Sequence, residues 1–251
     1  MVPAYIHEED RGGIGVLRLY RPPANAIDLD VARELAALAT SLSTSKFRAI
    51  VLTGSGTCFS AGADLKRVPT YGPEQQREMV QAINRLVAGF YACEVPVVAA
   101  INGHALGGGL IVAMCADHRV CTAAACKLGL TEARAGIPFP AATLAVLCAE
   151  LSPAVARRLT LRALSLDPQT ALEWGVVDEV VPQERVVDRA VEVALDLAGI
   201  PREAYRRIKL QLRADAIKKA RDAAESDRDP MLEEWLGAGT AAAAAATLTR
   251  T

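Results

Sequence analysis

The amino-acid sequence predicts an α/β fold, and three observations support that prediction. Short runs rich in Val and Ile alternate with segments of helical spacing through the first two thirds of the chain. The run VPVVAAI at 95–101 is almost continuously apolar, which is typical of a strand buried on both faces of a parallel sheet. From Pro153 onward the pattern is almost wholly helical, so a helical C-terminal region is expected to follow the α/β part.

Five segments are predicted to be strands, because Val and Ile enrich them and Gly or Pro bounds several of them. They are 14–20, 48–54, 95–102, 118–123 and 126–130.

The helices follow from apolar residues at helical spacing and from their start signals. Asp28 or Asp30 is expected to cap a helix within 28–43, a second helix spans about Pro73 to Tyr91, and a third follows the three glycines at 107–109. The last third predicts helices over 154–163, 167–175 and 184–199, one long amphipathic helix over 201–226, and a closing helix before the alanine run 241–246. The alanine run itself is expected to be the end of a helix or a frayed tail.

Composition narrows the class of protein. The chain has 251 residues, 51% of them hydrophobic and 23% charged, which is enough for one large domain or a domain with an appendage. A net charge of −1 gives no indication of a nucleic-acid or membrane partner. The acidic N-terminal stretch lacks the apolar run of a secretory signal, and six cysteines form no CxxC pair. We therefore expect a cytoplasmic protein with reduced thiols and no metal site.

Two glycine-containing turns raise the question of function. FSAGADL at 59–65 and INGHALGGG at 101–109 each read as a strand, a small-residue turn and the start of a helix. Such a turn leaves backbone N–H groups free, and two turns together could direct two donors at one oxygen atom. The simpler interpretation of either turn alone is tight packing. Phosphate-binding loops are excluded, since neither the GxxxxGKS nor the GxGxxG spacing is present.

This pair of turns resembles the crotonase, or enoyl-CoA hydratase/isomerase, superfamily. The stretches YRPPANAIDLD at 20–30, KLGLTEARAGIP at 127–138 and ALEWGVVDEVV at 171–181 are similar to that superfamily as well. The resemblance implies a crotonase-like spiral of ββα units over 1–198. It also implies a helical region over 199–251 that builds a homotrimer, often paired into a hexamer.

The resemblance further implies an acyl-CoA thioester as substrate. Its carbonyl would accept hydrogen bonds from the backbone N–H groups of Ala63 and Gly108, which form an oxyanion hole for the enolate. Each such donor is typically worth about 2.7–4 kcal/mol of transition-state stabilisation. Side chains at 107–109 would then block the thioester. No cofactor is expected, because coenzyme A is part of the substrate.

Ile111 and Glu132 determine which reaction the resemblance implies. Hydratases of the superfamily hold a water between two glutamates, and the matching positions here are Ile111 and Glu132. An isoleucine can neither orient water nor exchange a proton. One remaining carboxyl resembles the pattern of the monofunctional 3,2-enoyl-CoA isomerases, which implies that Glu132 moves a proton between carbons and converts 3-enoyl-CoA to 2-enoyl-CoA. Without the resemblance, Glu132 would be interpreted as a solvated acid at the start of a helix.

The remaining candidate residues surround these positions. Lys66 and Arg67 lie where the family places the adenine and its phosphates, although exposed basic residues are common. Basic residues are also frequent along 202–221, which predicts a solvated helix face with some side chains reaching CoA phosphates. The full set expected to contact substrate or CoA is Ala61, Gly62, Asp64, Leu65, Lys66, Arg67, Gly107 and Ile111.

Three alternatives stay open at this point. The first is an enoyl-CoA hydratase whose acid comes from an unrecognised position. The second is a catalytically weak acyl-CoA-binding carrier or sensor. The third is RNA binding through the basic tail helix, which is known in one branch of the superfamily, although no nucleic-acid or membrane partner is expected here.

Overall fold

The computed structural model describes residues 5–42, 46–226, 229, 235–237 and 239–249. Its strands are β1 (Ile6–Asp10), β2 (Ile14–Leu19), β3 (Ala49–Gly54), β4 (Cys58–Ser60), β5 (Val97–Ile101), β6 (His104–Leu106), β7 (His118–Thr122), β8 (Leu128–Gly129), β9 (Ser165–Leu166) and β10 (Glu179–Val181). Its helices are α1 (Leu29–Ser41), α2 (Pro73–Tyr91), α3 (Gly108–Met114), α4 (Glu132–Ala135), α5 (Ala141–Glu150), α6 (Pro153–Leu161), α7 (Pro168–Glu173), α8 (Val186–Ala198), α9 (Arg202–Leu212), α10 (Ala214–Glu225) and α11 (Thr240–Leu248).

The larger sheet has six strands in the order β1-β2-β3-β5-β7-β10. Only the β1–β2 pair is antiparallel; the others run parallel. Alternate side chains of β2, β3 and β5 enter two separate apolar clusters, and α8 covers one face. This sheet is therefore buried on both faces, as the apolar run 95–101 predicts.

The smaller sheet, in the order β4-β6-β8-β9, brings the two glycine turns together. β4 and β6 pair in parallel, and each of them leads directly into one of the turns. Because the strands run side by side in the same direction, both turns emerge at the same edge of the sheet. The mixed α/β architecture and the helical C-terminal region agree with the predicted crotonase-like fold.

The predicted long helix over 201–226 is wrong in one respect, because the chain breaks at Arg213 into α9 and α10. The Arg213 guanidinium is buried and donates to the carbonyls of Cys115 and Ala116, where α3 ends. It also pairs with Asp117 at 3.0 Å, and the buried Lys209 ammonium reaches the other oxygen of Asp117 at 2.8 Å. These two basic residues are not part of a solvated face. They dock the C-terminal helices onto the core.

The end of the chain is helical where it is described. The alanine run 241–246 lies inside α11, as an extension of helix rather than a coil. The closing helix expected before that run falls largely on residues outside the described ranges. None of the described helices combines the length and the apolar character needed to cross a bilayer.

Candidate active site

The two glycine turns touch, and the contact requires glycine at position 62. Gly62 has a φ of +76°, and a Cβ there would lie 2.5 Å from the Leu106 carbonyl oxygen and 2.9 Å from the Gly108 nitrogen. No side chain fits at such distances. The backbone of one turn is thus packed directly against the backbone of the other.

The three consecutive glycines differ in what surrounds them. Gly107 has a φ of +51°, and a Cβ there would lie 3.0 Å from Glu132 Oε1. A Cβ at Gly109 would lie 2.3 Å from the Ser60 carbonyl oxygen, so this glycine lets α3 pack on β4. Only Gly108 has room around it, with Gly62 Cα at 3.9 Å. A side chain at Gly109 would therefore meet β4 before any ligand, whereas the expectation that glycine at 108 clears space for the thioester stays a prediction.

Ala63 and Gly108 present backbone donors that the protein does not use. Within the described residues, neither N–H group takes part in a hydrogen bond. Gly108 is the first residue of α3, where N–H groups have no partner inside the helix. Ala63 lies between two residues that pair with Ile27, so its own N–H points away from that pairing.

The stretch 24–28 fixes the first turn in place. Ile27 N–H donates to the Gly62 carbonyl at 2.7 Å, and Asp64 N–H donates to the Ile27 carbonyl at 2.9 Å. Asn25 is fully buried and its Nδ2 donates to the Cys58 carbonyl at 2.7 Å. These hydrogen bonds from the stretch 24–28 therefore hold the first turn in position.

Glu132 begins α4 beside Gly107, and its carboxyl end lies in an apolar cavity. The residue as a whole is half-buried, but its Oε2 atom is shielded from solvent and has no hydrogen-bond partner in the part of the chain that the structure describes. Burial raises the pKa of the Glu132 carboxyl to about 8, against a small lowering by its own backbone N–H. A carboxyl with this proton affinity can both take and return a proton near neutral pH.

The cavity next to this carboxyl, here called the Glu132 cavity, has a volume of about 50 Å³. Of the sequence-predicted residues it brings together Ala63, Gly108, Ile111 and Glu132. Ile111 is buried, and Glu132 is the one ionisable residue among the described residues that line the cavity. Its other walls are mainly apolar side chains of α2 and of the segment 137–140.

The remaining predicted residues do not line this cavity. Ala61 and Leu65 are half-buried around the first turn, and Leu65 packs against the main apolar cluster. Asp64 accepts from Arg21 at 2.8 Å and from the N–H groups of Lys66 and Arg67. Burial raises the pKa of Asp64, but these hydrogen bonds outweigh it and hold the pKa below its usual range.

Lys66 and Arg67 differ in how they are held. The Arg67 guanidinium pairs with the fully buried carboxylate of Asp28, which also accepts from Arg21 and caps α1 through the Val31 N–H. The charge of Asp28 raises the pKa of Arg67. Lys66 is exposed and has no ion pair in the described chain. Its ammonium is therefore available to an external anion, whereas Arg67 is already engaged.

Among the cavity residues that were not predicted from the sequence, two have a side chain with a polar atom, Trp235 and Thr143. Trp235 is 4% exposed and its indole N–H donates to the Pro138 carbonyl at 3.0 Å, closing the cavity from the C-terminal side. Thr143, in the first turn of α5, contributes a hydroxyl. A lone hydroxyl in the apolar run AATLAVL is a signal that could have found Thr143, but nothing local marks Trp235.

The sequence profile of the enoyl-CoA hydratase/isomerase family matches residues 9–236. The chain belongs to this family. It is 34% identical over 179 residues to the probable enoyl-CoA hydratase EchA17 of Mycobacterium tuberculosis, covering 71% of this chain and 68% of the relative. It is 32% identical over 203 residues to the carnitinyl-CoA dehydratase of Escherichia coli, covering 77% of this chain and 74% of the relative.

A solved structure supports the fold assignment over the whole chain. The human mitochondrial delta3-delta2-enoyl-CoA isomerase superposes with a TM-score of 0.90 at 25% identity, covering 98% of each chain. The enoyl-CoA hydratase/isomerase family thus includes relatives of this chain named for hydration, dehydration and isomerisation. The chain is an acyl-CoA enzyme of this family.

Proposed function

We propose that the protein isomerises 3-enoyl-CoA to 2-enoyl-CoA, with Glu132 as its single proton shuttle. In this proposal the thioester carbonyl accepts hydrogen bonds from the N–H groups of Ala63 and Gly108. Glu132 removes a proton from C2, the two N–H donors stabilise the dienolate oxygen, and the same carboxyl returns a proton to C4. Both carbons must then lie on one face of the acyl chain, within reach of Glu132.

The observation that carries the proposal is the solitary carboxyl in an apolar cavity. Hydration requires a water that is held and activated, and Ile111 offers neither a hydrogen bond nor a charge to a water beside Glu132. Moving a proton between two carbons requires one base that becomes an acid, and the raised pKa of Glu132 suits both halves of that task. The unused N–H groups of Ala63 and Gly108 supply what the base alone lacks, namely stabilisation of the enolate.

Hydration of 2-enoyl-CoA is the competing candidate, and the names of the relatives in Mycobacterium tuberculosis and Escherichia coli favour it. The two reactions separate in one experiment. The protein is incubated in parallel with 3-hexenoyl-CoA and 2-hexenoyl-CoA, and formation of 2-enoyl-CoA and of 3-hydroxyacyl-CoA is followed in both. We expect isomerisation of the first substrate and little hydration of the second. Efficient hydration by the wild-type protein would contradict the proposal.

Substitutions at the two matched positions test the roles of the residues. Glu132→Gln should lower kcat for isomerisation by roughly 10²–10⁴-fold, because the base is lost, while acyl-CoA affinity stays largely intact. Ile111→Glu should gain hydration, since a second carboxyl can then hold water. Ile111→Leu is the matched control and should gain none. Retention of most isomerase activity in Glu132→Gln would show that another group moves the proton.

A further inference from the structure

Thr143 is a second unpartnered polar group in the Glu132 cavity. The residue is 4% exposed and lines the cavity, and its Oγ1 has no hydrogen-bond partner among the described residues. A buried hydroxyl without a partner is costly, so native proteins rarely retain one without a reason. None of the described residues that line the cavity forms a hydrogen bond with the Thr143 hydroxyl.

Helical threonines elsewhere in the chain satisfy their own hydroxyls. Thr160 Oγ1 donates to the Ala156 carbonyl at 2.8 Å, and Thr247 Oγ1 donates to the Ala243 carbonyl at 2.9 Å, in each case one turn back. Thr143 lies in the first turn of α5, so the residue one turn back, Phe139, precedes the helix. The Thr143 hydroxyl makes no such hydrogen bond one turn back within the described residues.

The first two backbone N–H groups of α5 are already matched. Ala141 N–H donates to Asp229 Oδ2 at 2.7 Å, and Ala142 N–H donates to Asn84 Oδ1 at 3.1 Å. Asn84 Nδ2 in turn donates to Asp229 Oδ2 at 2.9 Å. These contacts fix the first turn of α5 against α2, so Thr143 is presented from a rigid wall.

We infer that the Thr143 hydroxyl recognises an oxygen on the acyl chain, a hydroxyl or a carbonyl, beyond the reacting carbons. This inference rests on the proposed function, in which Glu132 on α4 serves C2 to C4. Thr143 lines the same cavity from a different helix, α5, and the ligands of the test below carry an oxygen at C5 or C6 for it to bind. The preferred substrate class is therefore an oxygenated enoyl-CoA rather than a plain hydrocarbon one. A threonine hydroxyl donates and accepts, so it can bind either kind of oxygen.

Binding of saturated ligands tests the inference without turnover. The dissociation constants of hexanoyl-CoA, 5-hydroxyhexanoyl-CoA and 6-hydroxyhexanoyl-CoA are measured by calorimetry on the full-length protein. Wild type should bind one of the hydroxylated ligands about fivefold more tightly than hexanoyl-CoA, the usual effect of one added hydrogen bond. Since these ligands cannot be isomerised, the result does not depend on the catalytic role of Glu132.

Three variants identify the group responsible. Thr143→Val replaces the hydroxyl by a methyl group and should abolish the preference, whereas Thr143→Ser keeps the hydroxyl and should keep the preference. Thr160→Val makes the same replacement at a threonine outside the cavity and should behave as wild type. Equal affinities in wild type, as expected if a resident water satisfies the hydroxyl, would overturn the inference. A preference that survives in Thr143→Val would overturn it as well.

Discussion

Replacing Glu132 by glutamine should alter the pH dependence of unfolding as well as catalysis. The folded protein holds the Glu132 pKa at about 8 through burial, whereas an unperturbed glutamate titrates near 4.5. Between these values the folded state binds a proton that the unfolded state has lost. The contribution of Glu132 to stability is therefore fully present below about pH 4.5 and is lost as the pH rises through about 8. Glutamine does not titrate, so its contribution is constant.

The size of the effect follows from the pKa difference. Each pH unit above 4.5 costs the wild type about 1.4 kcal/mol relative to the variant, until the folded carboxyl ionises. The free energy of unfolding of Glu132→Gln, relative to that of the wild type, should thus increase by about 3 kcal/mol between pH 4.5 and pH 7. The gain levels off above about pH 8.

Urea denaturation at pH 5, 6, 7 and 8, at one fixed protein concentration, measures this gain directly. Glu173→Gln on the exposed side of α7 is the control, and its difference from wild type should not change over this range. A Glu132→Gln difference that is the same at pH 5 and pH 8 would refute the reasoning. It would mean that the Glu132 carboxyl is solvated in the folded protein and does not lie in an apolar cavity.

Three further predictions concern catalysis. The kcat/KM for 3-enoyl-CoA should increase as the pH rises towards about 8 and level off above it, because Glu132 must be ionised to act as the base. A flat profile from pH 6 to 9 would contradict this prediction. Gly62→Ala forces two backbones apart and should lower kcat at least tenfold, whereas Gly56→Ala, also at positive φ but with open space around it, should leave kcat nearly unchanged. Lys66→Ala should raise KM for acyl-CoA severalfold with kcat unchanged, and the exposed Lys219→Ala should change neither; equal KM values would make Lys66 an ordinary surface charge.

Four of the six strands of the larger sheet could be predicted from the sequence, because β2, β3, β5 and β7 have a strong local signal. The charged β1 and the three-residue β10 were not predicted. The apolar runs around Val51, Val98 and Val120 are long enough to be recognised without any tertiary information. The smaller sheet could not be predicted completely, since β4 and β6 are three residues long and β9 is two. Strands of that length have no periodicity, and pairing across the sheet defines them.

Composition alone could not predict that two basic residues of the C-terminal helices are buried. Lys209 and Arg213 lie in a run of basic residues that resembles a solvated face, yet Asp117 holds both of them in the interior. Buried cations need partners, and the partner here is more than 90 residues away in the sequence. No local pattern carries that information.

The candidate site divides in the same way. Positions 63, 108, 111 and 132 belong to motifs whose spacing can be matched to a family, and the structure brings all four to one cavity. Whether their proposed roles are correct stays a prediction. Thr143 and Trp235 reach the cavity from elements that are close only in three dimensions, so matching a motif could not find them. The raised pKa of Glu132 is equally invisible in the sequence, since it depends on which side chains exclude water.

The contact between Gly62 and Gly108 bears on how this fold can change over evolution. The two backbones are in direct contact at Gly62, so no side chain can be introduced at Gly62 without displacing both turns. The positions that face the cavity from helices, such as Ile111 and Thr143, carry no such restriction, because replacing a side chain there leaves the turns where they are. A single substitution at one of these positions can therefore change the reaction or the substrate while the two turns stay in place. Diversity among the relatives is expected to concentrate on those side chains, with the two turns held nearly constant.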